Sequence, residues 1–153
     1  GYDFAIDIAE KLKRNSISYK WFVIGEGSLR KSLVKEIKKR NLEDYIILLG
    51  RKINPYPYFK YCDLYIQTSK HEGWGITLTE AKLFCKPIVT TRFAGAEEQI
   101  EDGVNGEISD INIEKLYSKV EDIILNKDKR MKYSKNLSMG MMINEDYWLE
   151  VFK

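Results

Sequence analysis

The sequence contains one histidine, His71, and two cysteines, Cys62 and Cys85. A single histidine gives little support to a metal site or to a catalytic triad that depends on a histidine base. The two cysteines do not form a CxxC pair and have no histidine cluster around them. We therefore expect two structural thiols in a reducing compartment, in preference to a disulfide or a metal site.

The chain also lacks long apolar runs and a strong charge of either sign. No segment is apolar over enough residues to span a bilayer, and none has the pattern of a signal peptide, so we expect a cytoplasmic protein. The 25 basic and 23 acidic residues leave a formal net charge of +2. Because the basic residues are spread over many segments, as on a solvated surface, nucleic acid is not an expected partner.

Short apolar runs alternate with amphipathic segments along the chain. The runs predict strands at 19–24, 45–49, 64–67 and 87–91, with one more short strand by the turns at 102–103 and 105–106. Helical spacing predicts helices at 3–14, 28–40, 58–61, 76–85, 96–100 and 113–125, with one or two more at about 128–152 anchored by Tyr147, Trp148 and Phe152. Short apolar strands of this kind are covered on both faces. They predict one α/β domain, 1–153, with a Rossmann-like doubly wound parallel sheet.

The residues that follow each strand are the candidates for ligand contact, because ligands of open parallel sheets bind beyond the carboxyl ends of the strands. Gly25 and Gly27 follow the first strand and open a helix, where backbone N–H groups can face an anion. A dinucleotide fingerprint needs a third glycine where Arg30 stands. The pattern is compatible with an anion site and equally with a tight turn that binds no ligand.

The segment from Glu72 to Glu80 carries more chemistry. Gly75 lets backbone approach a ligand, and the N–H groups of Ile76 and Thr77 fall at a predicted helix N-terminus, which favours a phosphate. Both glutamates can accept hydrogen bonds from sugar or ribose hydroxyls. The alternative is a solvated loop acid together with a glutamate that only stabilises the helix.

The spacing Glu72-Gly-Trp-Gly-Ile-Thr-Leu-Thr-Glu80 resembles the E-x7-E element of retaining GT-B glycosyltransferases, especially glycosyltransferase family 4, of the glycosyl transferases group 1 type. The resemblance covers nearly the whole chain. Its other elements occur in the family's order: Phe22-Val-Ile-Gly-Glu-Gly-Ser-Leu-Arg30, Leu48-Leu-Gly-Arg51, Asn54-Pro-Tyr-Pro-Tyr58, Cys62-Asp-Leu64, Lys86-Pro-Ile-Val89 and Glu97 to Gly106.

The resemblance implies a role for each matching residue in binding a nucleotide-sugar donor. Glu72 would contact the donor sugar near the reacting carbon, and Glu80 would bind the ribose hydroxyls. N–H groups of Gly75, Ile76 and Thr77 would bind the diphosphate. The nucleobase would lie against Arg51 and Lys52, and the nucleotide cleft would be lined by Gly25 and Gly27.

The resemblance also implies what this chain does not contain. The chain starts in a helix with no strand before it, so we expect a piece of a longer protein that lacks the family's first strand and its N-terminal acceptor-binding domain. The family's Arg and Lys near that strand neutralise the leaving diphosphate. We do not assign that role to Arg51, Lys52 or Arg92. Any peripheral membrane contact would be made through the acceptor-binding domain.

The implied reaction is retaining transfer of a sugar from a nucleoside-diphosphate sugar, UDP favoured over GDP, to a hydroxyl in surface polysaccharide or glycan synthesis. No cofactor or metal is expected, and this chain alone should be inactive. Two alternatives stay open: a non-catalytic nucleotide-sensing or interaction domain on the same scaffold, and a dinucleotide-dependent oxidoreductase, which Arg30 disfavours.

Overall fold

The computed structural model describes residues 1–143, so the aromatic anchors predicted at Tyr147, Trp148 and Phe152 lie outside it. The chain divides into two compact units, Gly1–Pro57 and Tyr58–Lys153. Strands and helices alternate along both, and every strand pair is parallel. The predicted α/β class with parallel strands is therefore confirmed.

The first unit contains two parallel strands and two amphipathic helices. In chain order its elements are α1 (Tyr2–Arg14), β1 (Trp21–Ile24), α2 (Arg30–Lys39) and β2 (Ile46–Gly50). Strand β1 pairs with β2 in a register that sets Trp21 opposite Ile46. The apolar faces of the helices, the turn before β2 and β2 itself form one core, made of Ile6, Ala9, Ile37, Leu42 and Ile46. Packing of this face, rather than helix propensity, accounts for most of the stability of such short helices.

The second unit is built around a three-stranded parallel sheet. Its strands are β3 (Tyr65–Gln67), β4 (Ile88–Thr91) and β5 (Glu107–Ser109), and β4 lies between the other two. Helices α4 (Ile76–Leu83), α5 (Ala94–Gln99), α6 (Ile113–Leu125) and α7 (Lys127–Ile143) follow in chain order. All four residues of β4 are buried, as expected for a central parallel strand covered on both faces.

A carboxylate joins three elements of this unit. Glu107 on β5 is 5% exposed and forms ion pairs with Lys119 on α6 and with Lys129 on α7, at 2.6 Å for Lys129. The hydroxyl of Tyr133, which is fully buried on α7, donates to the same carboxylate. A buried charge needs such partners, because an unpaired one would carry a large desolvation cost.

Helix α3 (Tyr56–Tyr61) begins two residues earlier than the sequence predicts. Pro57 was expected to belong to a loop, but proline is tolerated in the first turn of a helix, where its missing N–H has no intrahelical acceptor. The side-chain oxygen of Asn54 accepts the N–H of Tyr56 at 3.0 Å and so satisfies one donor of that turn. Within residues 1–143, no helix is both long and apolar enough to cross a membrane.

Candidate functional site

The glycine turn after β1 belongs to the first unit. Gly25 has a φ of +135°, a conformation that residues with a side chain rarely adopt, and its N–H donates to the carbonyl of Gly50 at 3.0 Å. Gly27 has space around it, since a Cβ there would meet no atom within 4 Å. Glu26, between them, forms an ion pair with Arg30 at 3.2 Å. Helix α2 begins at Arg30, two residues later than predicted.

This turn lines a cavity of about 170 Å³. The cavity is formed by residues of the first unit only, among them Tyr2, Val23, Gly25, Glu26, Gly27 and Leu48. Its volume is below the roughly 300–1,000 Å³ of typical small-molecule sites. The turn by itself therefore does not enclose a nucleotide.

Arg51 and Lys52 follow β2, whose last residue, Gly50, has a φ of +70°. Neither basic side chain forms an ion pair with a residue in the described part of the chain. A Cβ at position 50 would lie 2.8 Å from a carboxylate oxygen of Glu26, so the glycine also permits the close approach of that side chain.

The N-terminus of α4 lies in the second unit and has open hydrogen-bond donors. Gly75 is its N-cap, with a φ of +76°, and no side chain caps the helix. The Gly75 carbonyl accepts the N–H groups of Leu78 and Thr79. The N–H groups of Ile76 and Thr77 have no acceptor within residues 1–143, which leaves two donors at the positive end of the helix.

Two residues of α5 hold the loop before this helix in place. The N–H of Gly95 donates to the carbonyl of Gly73 at 3.3 Å. The side chain of Gln99, 7% exposed, donates to the carbonyl of Trp74 at 2.6 Å and accepts from the hydroxyl of Thr79 at 2.8 Å. Gln99 thereby connects the glycine loop to α4. Trp74 itself is 45% exposed.

The Glu72 carboxylate is tethered to a buried glutamine of β3. Its Oε2 accepts a hydrogen bond from Nε2 of Gln67 at 3.3 Å, and its Oε1 accepts the N–H of Gly73, also at 3.3 Å. Gln67 is 6% exposed, and its Oε1 lies 3.2 Å from the hydroxyl oxygen of Tyr65. That hydroxyl is in turn 2.8 Å from Oγ1 of Thr77 at the start of α4. A continuous chain of side-chain contacts thus joins Glu72 to the N-terminus of α4.

Glu80 lies one turn into α4 and is half-buried. Burial raises the pKa of its carboxyl group above the ordinary value, and no group in the described residues forms a hydrogen bond or ion pair with it. A partly desolvated carboxylate with unused acceptor capacity is an unfavourable arrangement unless a ligand or solvent supplies the donors.

Tyr65 lies within electrostatic range of both glutamates. The pKa of Tyr65 is raised to about 12, mainly by burial; the contact with Thr77 opposes this shift, and the negative charges of Glu80 and Glu72 add to it. The structure therefore places Glu72, Thr77 and Glu80 near one tyrosine, and their predicted roles in donor binding stay predictions. No role was predicted for Tyr65, Gln67 or Gln99. For Tyr65 and Gln67 the available signal was a pair of side chains with polar ends at positions i and i+2 of a short apolar strand, which face the same side.

Other candidates are engaged elsewhere or remain untested. Arg92 forms ion pairs with Glu97 and, at 3.2 Å, with Asp110, and it stays without an assigned role in binding the diphosphate. Within residues 1–143, no three His, Cys, Asp or Glu side chains are grouped as metal ligands, and metal independence stays a prediction. Cys62 and Cys85 are free thiols.

Comparison with known proteins gives consistent matches to one enzyme family. The profile of the glycosyl transferases group 1 family matches residues 1–138. Poly(ribitol-phosphate) alpha-N-acetylglucosaminyltransferase of Staphylococcus aureus (strain COL) is 30% identical over 126 residues, which are 81% of this chain and 26% of that protein. N-acetylgalactosamine-N,N'-diacetylbacillosaminyl-diphospho-undecaprenol 4-alpha-N-acetylgalactosaminyltransferase of Campylobacter jejuni is 32% identical over 118 residues, 76% of this chain and 32% of that protein. The chain therefore spans about a third or less of these two relatives.

Solved structures of glycosyltransferases share the fold. A TarM mutant of S. aureus, crystallised with fondaparinux, alpha-GlcNAc-glycerol and UDP, matches with a TM-score of 0.84 at 26% identity, over 99% of this chain and 32% of that chain. The C-terminal domain of the group 1 family protein LpcC from Francisella tularensis matches with a TM-score of 0.82 at 24% identity, over 95% of this chain and 79% of that chain. The α/β fold is that of GT-B glycosyltransferases.

Proposed function

The chain belongs to the glycosyl transferases group 1 family, and from that premise we propose that it binds the nucleoside-diphosphate sugar from which a sugar is transferred. The proposal rests mainly on one observation: Glu72, the open N–H groups of Ile76 and Thr77, and Glu80 occur on one loop and helix start. These groups supply carboxylates for hydroxyls and donors for phosphate oxygens, which are the two kinds of contact a nucleotide sugar requires.

The phosphate contact is argued from the helix terminus. A diphosphate oxygen is a strong acceptor and carries negative charge, so the N–H groups of Ile76 and Thr77 and the positive end of α4 favour it together. When the bond between sugar and phosphate breaks, charge builds up on the leaving diphosphate. Donors already fixed in place stabilise that charge without rearranging.

The hydroxyl contacts are argued from the two carboxylates. Glu80 is half-buried with unused acceptor capacity, which suits a ribose carrying two neighbouring hydroxyl donors. Glu72 is exposed and tethered at the loop, which suits a contact with the donor sugar. Neither carboxylate is proposed as a nucleophile or as a general acid.

The activity of the whole protein is part of the same proposal. We expect retaining transfer of a hexose-type sugar to a hydroxyl acceptor held by a domain outside this chain, without a metal ion. UDP is the preferred nucleotide in this proposal, and UDP is present in the crystals of the S. aureus TarM mutant. Contacts of the base with Arg51 and Lys52, and lining of the cleft by Gly25 and Gly27, remain predictions.

The proposal is tested by titrating the chain with UDP, GDP and ADP while recording backbone amide shifts by NMR. UDP should bind, and the largest shifts in the second unit should fall on Gly75, Ile76 and Thr77. NADH, added in a parallel titration, should produce no shifts. Absence of binding by all three nucleotides, or shifts confined to α6 and α7, would contradict the proposed donor site.

A further inference from the structure

The direction of each hydrogen bond around Gln67 follows from which side-chain groups can donate and which can only accept. The carboxylate of Glu72 only accepts hydrogen bonds, so the amide group of Gln67 must turn its NH2 toward Glu72 at 3.3 Å. Its oxygen then faces Tyr65 at 3.2 Å and can only accept, so the tyrosine hydroxyl donates to it. With its single proton used in this way, Tyr65 must accept from the hydroxyl of Thr77 at 2.8 Å.

The result is a chain in which each donor points toward Glu72, in the order Thr77, Tyr65, Gln67 and Glu72. A hydroxyl that donates to the tyrosine oxygen favours the phenolate, and the contact with Thr77 accordingly lowers the pKa of Tyr65. Gln67 is the buried link, 6% exposed, and its amide nitrogen also lies 3.4 Å from Oγ of Ser69.

We propose that Gln67 is the positioning residue for Glu72, fixing the carboxylate at the place where it meets the donor sugar. The inference rests on the proposed function, because it assumes that Glu72 contacts the sugar. An exposed glutamate on a loop samples several rotamers. If only one rotamer contacts the sugar, the population of the other rotamers lowers the affinity for the sugar. The donated hydrogen bond from Gln67 selects one orientation.

The test measures the sugar increment, defined as the Kd for UDP divided by the Kd for a UDP-sugar in the same variant. UDP-glucose and UDP-N-acetylglucosamine are both titrated, and the tighter ligand of the wild-type chain is used throughout. In Gln67→Met, which keeps side-chain length but cannot donate, the increment should fall by about tenfold while UDP affinity stays within about twofold. A general loss of fold would lower both affinities and leave the ratio unchanged.

The other buried glutamine provides a matched control. Gln99 is 7% exposed and bonds Trp74 and Thr79, without contact to Glu72. Gln99→Met should change both affinities together and preserve the increment. An equal loss of the increment in Gln67→Met and Gln99→Met would overturn the specific role of Gln67. Gln67→Leu provides a second variant if the methionine side chain prevents folding.

A double-mutant cycle tests whether Gln67 acts through Glu72. Glu72→Gln should remove the increment, and Gln67→Met/Glu72→Gln should show no further loss, because the second change removes a group that no longer functions. Additive losses would overturn the inference. Absence of UDP binding in the wild type would contradict the proposed function itself. UDP binding with a wild-type increment below about twofold, or an increment that Gln67→Met leaves intact, would overturn only the role of Gln67.

Discussion

A Cβ atom at Gly95 would lie 2.4 Å from the carbonyl oxygen of Trp74, closer than any real Cβ contact. The same atom would come within 2.6 Å of the carbonyl oxygen of Gly73. Helix α5 therefore packs backbone against backbone at the loop that leads into α4. Only glycine permits this approach, and the position of the loop depends on it.

We predict that Gly95→Ala moves this loop and destabilises the chain by about 1–3 kcal/mol, as overpacking of a rigid site does. Nucleotide binding should weaken as well, because the Gly75 end of the loop leads into the open N–H groups. Thermal unfolding and UDP titration measure the two effects. Gly140→Ala is the control: its Cβ would meet no atom within 4 Å, and alanine in a helix should raise stability by about 0.5–1 kcal/mol. Equal stability of Gly95→Ala and wild type would contradict the packing argument.

Glu80→Gln should weaken UDP binding by about tenfold or more while the fold is retained. The proposed contacts with ribose hydroxyls are charge-assisted, and each contributes about 1.5–3 kcal/mol. Isothermal titration of UDP against both proteins measures the change. Glu98→Gln removes an exposed carboxylate of α5 in the same unit and should bind as the wild type does. Wild-type affinity in Glu80→Gln would refute the ribose role.

The Glu107 cluster should make stability depend on acid pH. Burial alone would raise the pKa of Glu107, but hydrogen bonds from Lys119, Lys129 and Tyr133 outweigh it and lower the pKa to about 2. A carboxyl group with a depressed folded-state pKa contributes stability above its unfolded pKa, near 4.5, and loses that contribution as pH falls toward 2.

Urea unfolding between pH 6 and pH 2 measures this contribution. Glu107→Gln should be less stable than wild type by about 1.5–3 kcal/mol at pH 6, because it removes charge-assisted hydrogen bonds from Lys119 and Lys129, which keep only Asp102 and Asp122 as partners. The difference should shrink as the pH is lowered. Glu101→Gln, which changes an exposed glutamate nearby, should follow the wild-type curve. A constant difference across this pH range would contradict the assignment.

A protein that joins this chain to an acceptor-binding domain should transfer sugar in the presence of EDTA as fast as without it. The diphosphate is proposed to be stabilised by helix donors and by cations outside this chain, so no divalent ion is required. Loss of activity on chelation, with recovery on adding a divalent metal, would contradict this expectation. Initial rates with and without EDTA decide the question.

The chain alone should bind UDP and yet give no turnover with a sugar donor and acceptor. Transfer needs both substrates in reactive geometry, an advantage worth several kcal/mol, and the acceptor is proposed to be bound elsewhere. Release of UDP from a UDP-sugar, followed by a coupled assay, measures turnover. Steady transfer by the purified chain would show that the acceptor site lies within it.

The succession of elements was predictable because the buried faces follow simple periods. Helix α6 occurs at the predicted residues, Ile113–Leu125, and its apolar positions at helical spacing include the fully buried Leu116 and Val120. The ends of elements were less predictable, since local capping decides them. Asn54 allows α3 to begin at Tyr56, ahead of a proline that by itself favours a loop.

The site was predictable only in part, for a physical reason. Glu72, Thr77 and Glu80 lie within nine residues, so their proximity follows from a loop that enters a helix. Gln67 meets Glu72 through the path of the chain after β3, and Gln99 reaches Trp74 from a separate helix. Contacts between side chains of different elements depend on packing, which periodicity and short motifs do not describe.

The support that Gln99 and Gly95 give to the loop before α4 has a consequence for the entropy of binding. Free loops lose conformational freedom when they close on a ligand, and that loss reduces affinity. Here the carbonyls of Gly73 and Trp74 are already hydrogen-bonded to α5. This backbone therefore loses its conformational entropy when the chain folds. A ligand that binds at Gly75 orders the loop little further, so the entropy lost on binding is small.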